Sequence, residues 1–514
     1  MSVGRRWWVS AALLIATGCD SKRAGPQPSA HDAPQASVSG SASSAADAVP
    51  PVPPEVLDPT LVKVIDQNPD PRIVEVTLTA QPSVHSYGAA RPTDVWSYNG
   101  TVPGPLVEAQ VGDKLIAHLE NKLPEATTIH WHGIRLPNAM DGNPMVVPPV
   151  VPGGTFRYEF TFKDAGLFWF HPHIRSDVQV QKGLQAPLLV RGPNEPRSDD
   201  ERVLVIDDVR LKADGSLDEY LDDTGKMMGR EGNVQIVNGH PSPTLRVRPG
   251  ATLRLRLVNT ANGRFFHLRV PGHRLHVIGT DGGLVPHPYE TERLLMSPGE
   301  RYDVMISVQK EPGTVEVWND PHERGHESGN APATVLWKLR VEGAPVVDPA
   351  PIPSSGPALE RLAAKGAAIP IVLDEGSQNG EMVFTVNGKA HPDVPPIGIK
   401  LGETRFLHVT NASDMDHPFH LHGFFFQVVS RKGKPEPAER LANKDTLIVP
   451  MKSDLVLAAR FDEAGRWMYH CHILEHAEAG MMGDIDVGAR STVPGAGKPQ
   501  APAHGHGHAP GHGH

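Results

Sequence analysis

Three stretches of this chain alternate apolar and polar side chains with the period of a half-buried strand, and an Asn-Gly turn precedes each one. Asn99-Gly100 comes before Val111-Gly112-Asp113-Lys114-Leu115-Ile116-Ala117-His118-Leu119-Glu120-Asn121. Asn238-Gly239 comes before Arg248-Pro249-Gly250-Ala251-Thr252-Leu253-Arg254-Leu255-Arg256-Leu257-Val258-Asn259. Asn387-Gly388 comes before Leu401-Gly402-Glu403-Thr404-Arg405-Phe406-Leu407-His408-Val409-Thr410-Asn411. The second half of each unit also recurs, as Lys163-Asp164-Ala165-Gly166-Leu167-Phe168-Trp169-Phe170-His171, Glu311-Pro312-Gly313-Thr314-Val315-Glu316-Val317-Trp318-Asn319 and Asp462-Glu463-Ala464-Gly465-Arg466-Trp467-Met468-Tyr469-His470. Repetition at a spacing of roughly 140 residues predicts an all-β protein made of three consecutive copies of one sandwich. Polar, proline-bearing stretches at 193–202 and 343–356 separate them, giving units at 58–195, 196–345 and 366–490.

Composition sharpens this picture without changing it. Gly 50 and Pro 51 against Tyr 7 and Phe 14 fit short strands joined by many turns, and a length of 514 residues suits about three domains. A net charge of −10 argues against a nucleic-acid partner. Residues 1–19 read as an export signal: Arg5 and Arg6, an apolar run from Trp7 to Ile15, then Ala16-Thr17-Gly18-Cys19. Small residues before Cys19 predict cleavage and lipid attachment there, hence an exported periplasmic or envelope protein whose only membrane contact is that lipid. Ala16 stands where leucine is usual, and Arg5-Arg6 leaves the twin-arginine route as the alternative. The run is too short to span a bilayer. Residues 20–57, rich in Ala, Ser and Pro, predict a disordered tether, and residues 491–514, with His504, His506, His508, His512 and His514, a disordered tail that is either a metal-gathering arm or an expression artefact, the interleaving with Gly, Ala and Pro favouring the native arm.

The chemistry concentrates in His470-Cys471-His472-Ile473-Leu474-Glu475-His476, followed by Gly480-Met481-Met482. Neighbouring side chains on a strand face opposite ways, so His470 and His472 look to one side and Cys471 to the other. One strand can then serve two sites. A thiolate with imidazoles and a thioether is the ligand set of a blue copper; Cys471, His476 and Met481 supply it, with His417 as the second imidazole and Met482 as the rival thioether. Eight histidines remain in pairs: His130 and His132, His171 and His173, His420 and His422, His470 and His472. A structural zinc closes with four ligands, so twelve candidates exceed its need. The only other cysteine is Cys19, which leaves no disulfide framework.

These four ordered motifs resemble those of the multicopper oxidases, the laccase-like blue oxidases, over about Ile73 to Val487. The resemblance implies cupredoxin-like Greek-key β-sandwich domains and a cofactor of four copper ions. His417, Cys471 and His476 would hold the type 1 copper with Met481 axial, and His130 and His420 the type 2 copper. His132, His171 and His472 would hold one type 3 copper, and His173, His422 and His470 the other. Electrons from a small reductant would pass from Cys471 to His470 and His472, a path of roughly 10 Å, and reduce O2 to water. Asp141 matches the family's proton-relay acid in the first domain. A second acid directly after His476 is replaced by Ala477, which leaves Glu478 or Glu475 as substitutes. The middle unit carries Asn319 and Asp320 where its neighbours have histidines and shows no counterpart of His130-Trp131-His132, so it is expected to hold no copper ligand and to act as a spacer. The first and third units must then touch. Phenols or aromatic amines are the first substrate reading, because Met227-Met228 is too sparse for the Met-rich cover of metal-oxidising relatives. A cuprous-ion oxidase is the alternative, and a non-catalytic copper-binding protein a remote one. A monomer is expected.

Overall fold

The computed structural model describes residues 55–488, apart from 90, 219–222 and 379. The export signal with Cys19, most of the tether and the His-rich tail lie outside the described residues. Each of the three alternating stretches is a strand, Lys114–Asn121, Thr252–Asn259 and Thr404–Asn411, at the middle of one sheet of its own two-sheet unit. The first unit pairs the sheet Thr93–Tyr98, Ile73–His85, Lys114–Asn121, Thr155–Thr161 with the sheet Val107–Gln110, Ala186–Arg191, Gly166–His171, His130–His132. In the third unit the second sheet runs Ile397–Ile399, Met482–Val487, Gly465–Cys471, His417–Leu421, Thr446–Val449, the same order with one strand added. In the middle unit it runs Thr244–Val247, Thr334–Val341, Gly313–Asn319, Phe266–Arg269, Arg293–Met296. The fold is all-β, as the alternation predicts.

The Asn-Gly turns repeat at the level of atoms. Asn99, Asn238 and Asn387 have φ of 55°, 49° and 52°, and the glycine after each has φ of 85°, 80° and 75°, the left-handed pair that such a tight turn requires. Each asparagine side chain also bridges a neighbouring strand. Its carbonyl accepts from the N–H of Thr79, Val205 or Val372, and its amide donates to the carbonyl of Thr77, Val203 or Pro370.

Two expectations need correction. The middle unit does have a strand in the place of His130–His132 and His417–Leu421, namely Phe266–Arg269, where Leu268 pairs with Asn319. Its one histidine, His267, escapes motif reading because it has no histidine beside it. Residues 55–57, assigned to the tether on composition, instead run along the middle unit. Leu57 bridges Thr244, and the Glu55 carboxylate accepts from the Thr244 hydroxyl at 2.8 Å.

The cores show how the units are joined. One continuous apolar cluster contains Trp131 and Phe170 of the first unit together with Phe419, Trp467 and Tyr469 of the third, while the middle unit has its own around Leu253, Leu255, Trp337 and Leu339. Burial of apolar surface therefore holds the first and third units face to face. Asn138 adds a polar contact there, donating its amide to the Arg466 carbonyl at 2.7 Å.

Replacing Asn238 with Ala should strand the buried Val205 N–H and lose the amide's bonds, lowering stability by about 1–3 kcal/mol. Asn238→Gly, free to adopt the same φ, should lose less than Asn238→Ala. Thermal midpoints of the purified proteins check this order, and an unchanged Ala variant would contradict it.

Candidate metal centre

Strand register decides which histidines meet. His130 lies opposite His171, and His132 opposite Trp169, in the antiparallel pair of the first unit. His420 lies opposite His470, and Phe419 opposite Cys471, in the third. Residues directly opposed share a face, so each pair of strands offers an imidazole face, and the merged core sets the two faces against each other. The ring centroids of His130 and His422 stand 3.7 Å apart, and those of His132 and His420 3.8 Å. Across the seam His130 Nε2 is 3.5 Å from His420 Nε2, and within the third unit His422 Nε2 is 3.1 Å from His470 Nε2. His173 joins His422 and His470, with ring centroids 4.9 and 5.1 Å away, and His472 lies 4.9 Å from His132 and 5.7 Å from His171. All eight rings are buried.

Hydrogen bonds on the outside of the group set which nitrogen faces in. His130, His171, His420 and His470 donate Nδ1–H to the carbonyls of Asp141, Pro172, Asp445 and Cys471, and His422 donates to the Asp141 carboxylate at 2.9 Å. The lone pair of each of these rings is thereby left on Nε2. His132 is reversed: Nε2 is 3.1 Å from Asp445 Oδ1, and Nδ1 is the free atom. His132 Nδ1, His171 Nε2, His173 Nε2 and both nitrogens of His472 are buried without any protein partner. Burial, reinforced by the neighbouring imidazoles, pushes these rings down, His472 to about 3 and His422 to about 4, so they are neutral donors at neutral pH. Converging buried lone pairs with nothing to bind are what a cation site offers.

Cys471 points to the opposite face, into a second group. Its Sγ is 3.5 Å from His417 Nδ1 and 3.7 Å from His476 Nδ1, and those two nitrogens are 3.3 Å apart. His476 sits on the short helix Leu474–Glu478, stacked on Phe384 at 3.8 Å. Ser413 Oγ, 2.8 Å from His417 Nε2, also contacts Asn411 Oδ1 and the Met415 carbonyl, so its proton has acceptors and its lone pair receives the ring N–H. Met481 is fully buried in the same apolar cluster as Cys471, and its carbonyl accepts from Cys471 N–H. Met482 packs instead with Met468 and Ala477. Ser413, Phe384 and Asp445 have no signal in the sequence, since only the folded chain brings them to these rings.

Models of the multicopper oxidase family match residues 80–195, 202–335 and 366–491. The chain belongs to the multicopper oxidase family. It is 31% identical to the multicopper oxidase MmcO of Mycobacterium tuberculosis over 81% of this chain and 87% of that protein. To laccase-1 of Botryotinia fuckeliana it is 31% identical over 77% of this chain and 78% of that one. Among solved structures it superposes on the multicopper oxidase of Campylobacter jejuni, described as a metallo-oxidase, with a TM-score of 0.78, 29% identity and coverage of 87% and 98%. This multicopper oxidase is thus a copper-dependent oxidoreductase that uses O2. Its donor set fits that metal: imidazoles throughout, with a thiolate at the second group.

The three candidate acids part company. Asp141 is buried against the histidines, with its carboxylate 2.9 Å from His422 Nδ1 and 3.3 Å from His130 Nδ1. Burial pushes this carboxyl up, but the two rings outweigh that and hold it below the ordinary carboxylate range. Glu475 and Glu478, three apart on one helix, share a face that turns to other neighbours. Glu475 accepts from Asn262 of the middle unit at 2.8 Å, and burial pushes it up to about 7. Glu478 accepts from Ser176 N–H and Oγ–H at 2.7 and 2.8 Å, in the helix Ser176–Gln181 that follows His173. No described hydrogen bond joins either glutamate to a histidine of the group.

Asp141→Ala should lower turnover by about 10–100-fold, because His422 loses the carboxylate that orients it, while His130 keeps the backbone carbonyl of residue 141. Oxygen uptake at matched copper content checks this, and a variant as fast as the parent would contradict it.

Proposed function

We propose that this multicopper oxidase transfers single electrons from a small reductant to a type 1 copper that His417, Cys471 and His476 would hold, with Met481 beside them as a fourth donor, and reduces O2 to water at a three-copper site. His130 and His420 are assigned to the type 2 copper, His132, His171 and His472 to one type 3 copper, and His173, His422 and His470 to the other. When bound, these four coppers supply one-electron transfer at the sulfur-held site and the four electrons that, with four protons, turn O2 into two waters. The observation that carries the reading is the strand Gly465–Cys471, whose last residues direct His470 to one group and Cys471 to the other. A single peptide bond joins the two sites, Asp141 holds a proton acceptor beside His422 and His130, and burial excludes water from both.

Cuprous ion is the donor we favour. His476 Nε2, the outward nitrogen of the type 1 group, donates to the Met227 carbonyl at 2.9 Å, so the segment Asp223–Met228 occupies the ring edge that an aromatic donor would touch. Met227 and Met228 also place soft thioethers on that segment, a preference that suits Cu(I). The Campylobacter jejuni relative described as a metallo-oxidase agrees with this choice. Identity to a fungal laccase supports phenols or aromatic amines as the second reading. Export to the envelope with a lipid on Cys19 remains part of the proposal on the sequence alone.

Oxygen consumption with Cu(I) and with a phenol at equal concentration tests the donor, and Cu(I) should be at least about tenfold faster, a difference of about 1.4 kcal/mol in barrier. A faster phenol would reverse the assignment. Shortening the 223–228 segment should raise phenol turnover. Cys471→Ser should abolish the blue absorption, and a variant that stays blue would refute the type 1 assignment.

A further inference from the structure

The middle unit contributes none of the assigned ligands, yet its residues pack directly on the histidine group. Arg301, buried at the start of the strand Arg301–Ser307, reaches all three units. Its Nε–H donates to the Leu167 carbonyl of the first unit at 3.1 Å, and its Nη1–H and Nη2–H grip Asp445 of the third through Oδ1 at 2.6 Å and Oδ2 at 2.5 Å. Asp281, also of the middle unit, faces the N–H groups of Asp445 and Thr446 at 3.4 and 3.3 Å.

Asp445 is the acceptor that selects the ring nitrogens. Its Oδ1 is 3.1 Å from His132 Nε2, and its carbonyl is 2.9 Å from His420 Nδ1. The Thr446 hydroxyl donates to Asp445 Oδ1 at 2.9 Å and presents its lone pairs to His132 Nε2 and His420 Nδ1, each at 3.0 Å. Carboxylate and carbonyl oxygens only accept. His132 therefore carries its proton on Nε2 and turns Nδ1 inward, whereas His420 carries it on Nδ1 and turns Nε2 inward. A two-point guanidinium grip fixes the carboxylate plane, and with it the plane of the His132 ring.

The backbone two residues before Arg301 forms a wall of the site. A Cβ on Gly299, whose φ is +85°, would stand 2.8 Å from His472 Cδ2 and 3.1 Å from His132 Cε1. No side chain fits between this turn and the two rings.

We infer that two residues of the middle unit, Arg301 acting through Asp445 and Gly299 packed directly against His472 and His132, are positioning residues of the three-copper site, so that this unit is a working part of the oxygen-reducing centre and not a spacer. The inference rests on the reading that the eight histidines hold copper. Its test compares the full chain, loaded with copper, with Arg301→Lys, which keeps a cation but loses the two-point grip, and with Asp445→Asn, which keeps an acceptor for His132 but turns away the guanidinium. Copper per chain, blue absorption and the electron paramagnetic signal of type 2 copper are read for each, then followed as a chelator is added.

The expected result is weaker retention of the three-copper set by about 10–100-fold, with an altered type 2 signal and undiminished blue absorption, because neither residue touches Cys471, His417 or His476. Unchanged copper retention and signals in both variants would overturn the inference. So would parallel loss of blue and non-blue copper, which marks a general packing role. Should Asp445→Asn fail to fold, Arg301→Lys alone decides between these outcomes. A parent chain that bound no copper beyond the blue site would instead overturn the proposed function itself.

Discussion

Eight imidazoles enclosed at one seam are the constraint on which the rest of the molecule depends. Each ring has lost water, and several of the inward nitrogens meet no protein partner. Unpaired buried polar atoms cost free energy until something binds them. The protein tolerates this because the surrounding apolar cluster, shared by the first and third units, holds the seam closed independently of the histidines. Metal binding and closure of the seam should then reinforce each other.

The second group extends the same logic by one residue. Strand alternation turns Cys471 away from the imidazole faces into an apolar surround, where burial pushes its thiol well above the ordinary range. A thiol so placed is inert on its own, and a copper bound there would displace its proton and supply the compensating charge. Ser413 on His417 and the Met227 carbonyl on His476 satisfy the outer nitrogens of the two partner rings, so both Nδ1 atoms face the sulfur. Neutral oxygens thus hydrogen-bond the outer nitrogens of the second group, and the Asp141 and Asp445 carboxylates join carbonyl oxygens in doing so at the eight-histidine group.

The middle unit shows how a repeated fold changes role without losing its frame. It keeps the Asn-Gly turn, the central strand and the order of its second sheet, but Phe266–Arg269 and Asn319 stand where the other copies carry imidazole pairs. Its contributions run through the loops and element ends that face its neighbours: Gly299 and Arg301 toward the eight histidines, Met227 and Asn262 toward the helix that bears His476. Residues on such loops are arranged by contacts across the unit boundaries, so the spacing within any one repeat carries no trace of them.

What the sequence by itself determined is local and periodic. Alternation with period two and the Asn-Gly turns announced three sandwiches, and the pairing of histidines along single strands announced two ligand faces, because strand geometry follows directly from residue order. Tertiary structure alone decided what lies opposite those faces. Asp445, Arg301 and Ser413 act through hydrogen bonds between distant segments, and Glu475 and Glu478 turn to Asn262 and Ser176 because of where the helix Leu474–Glu478 docks. Residues 55–57, which continue a proline-rich stretch, look like tether until an edge strand of the middle unit offers them backbone partners. Contacts of this kind depend on how three units pack, and residue order states which side chains a strand presents but not what they will meet.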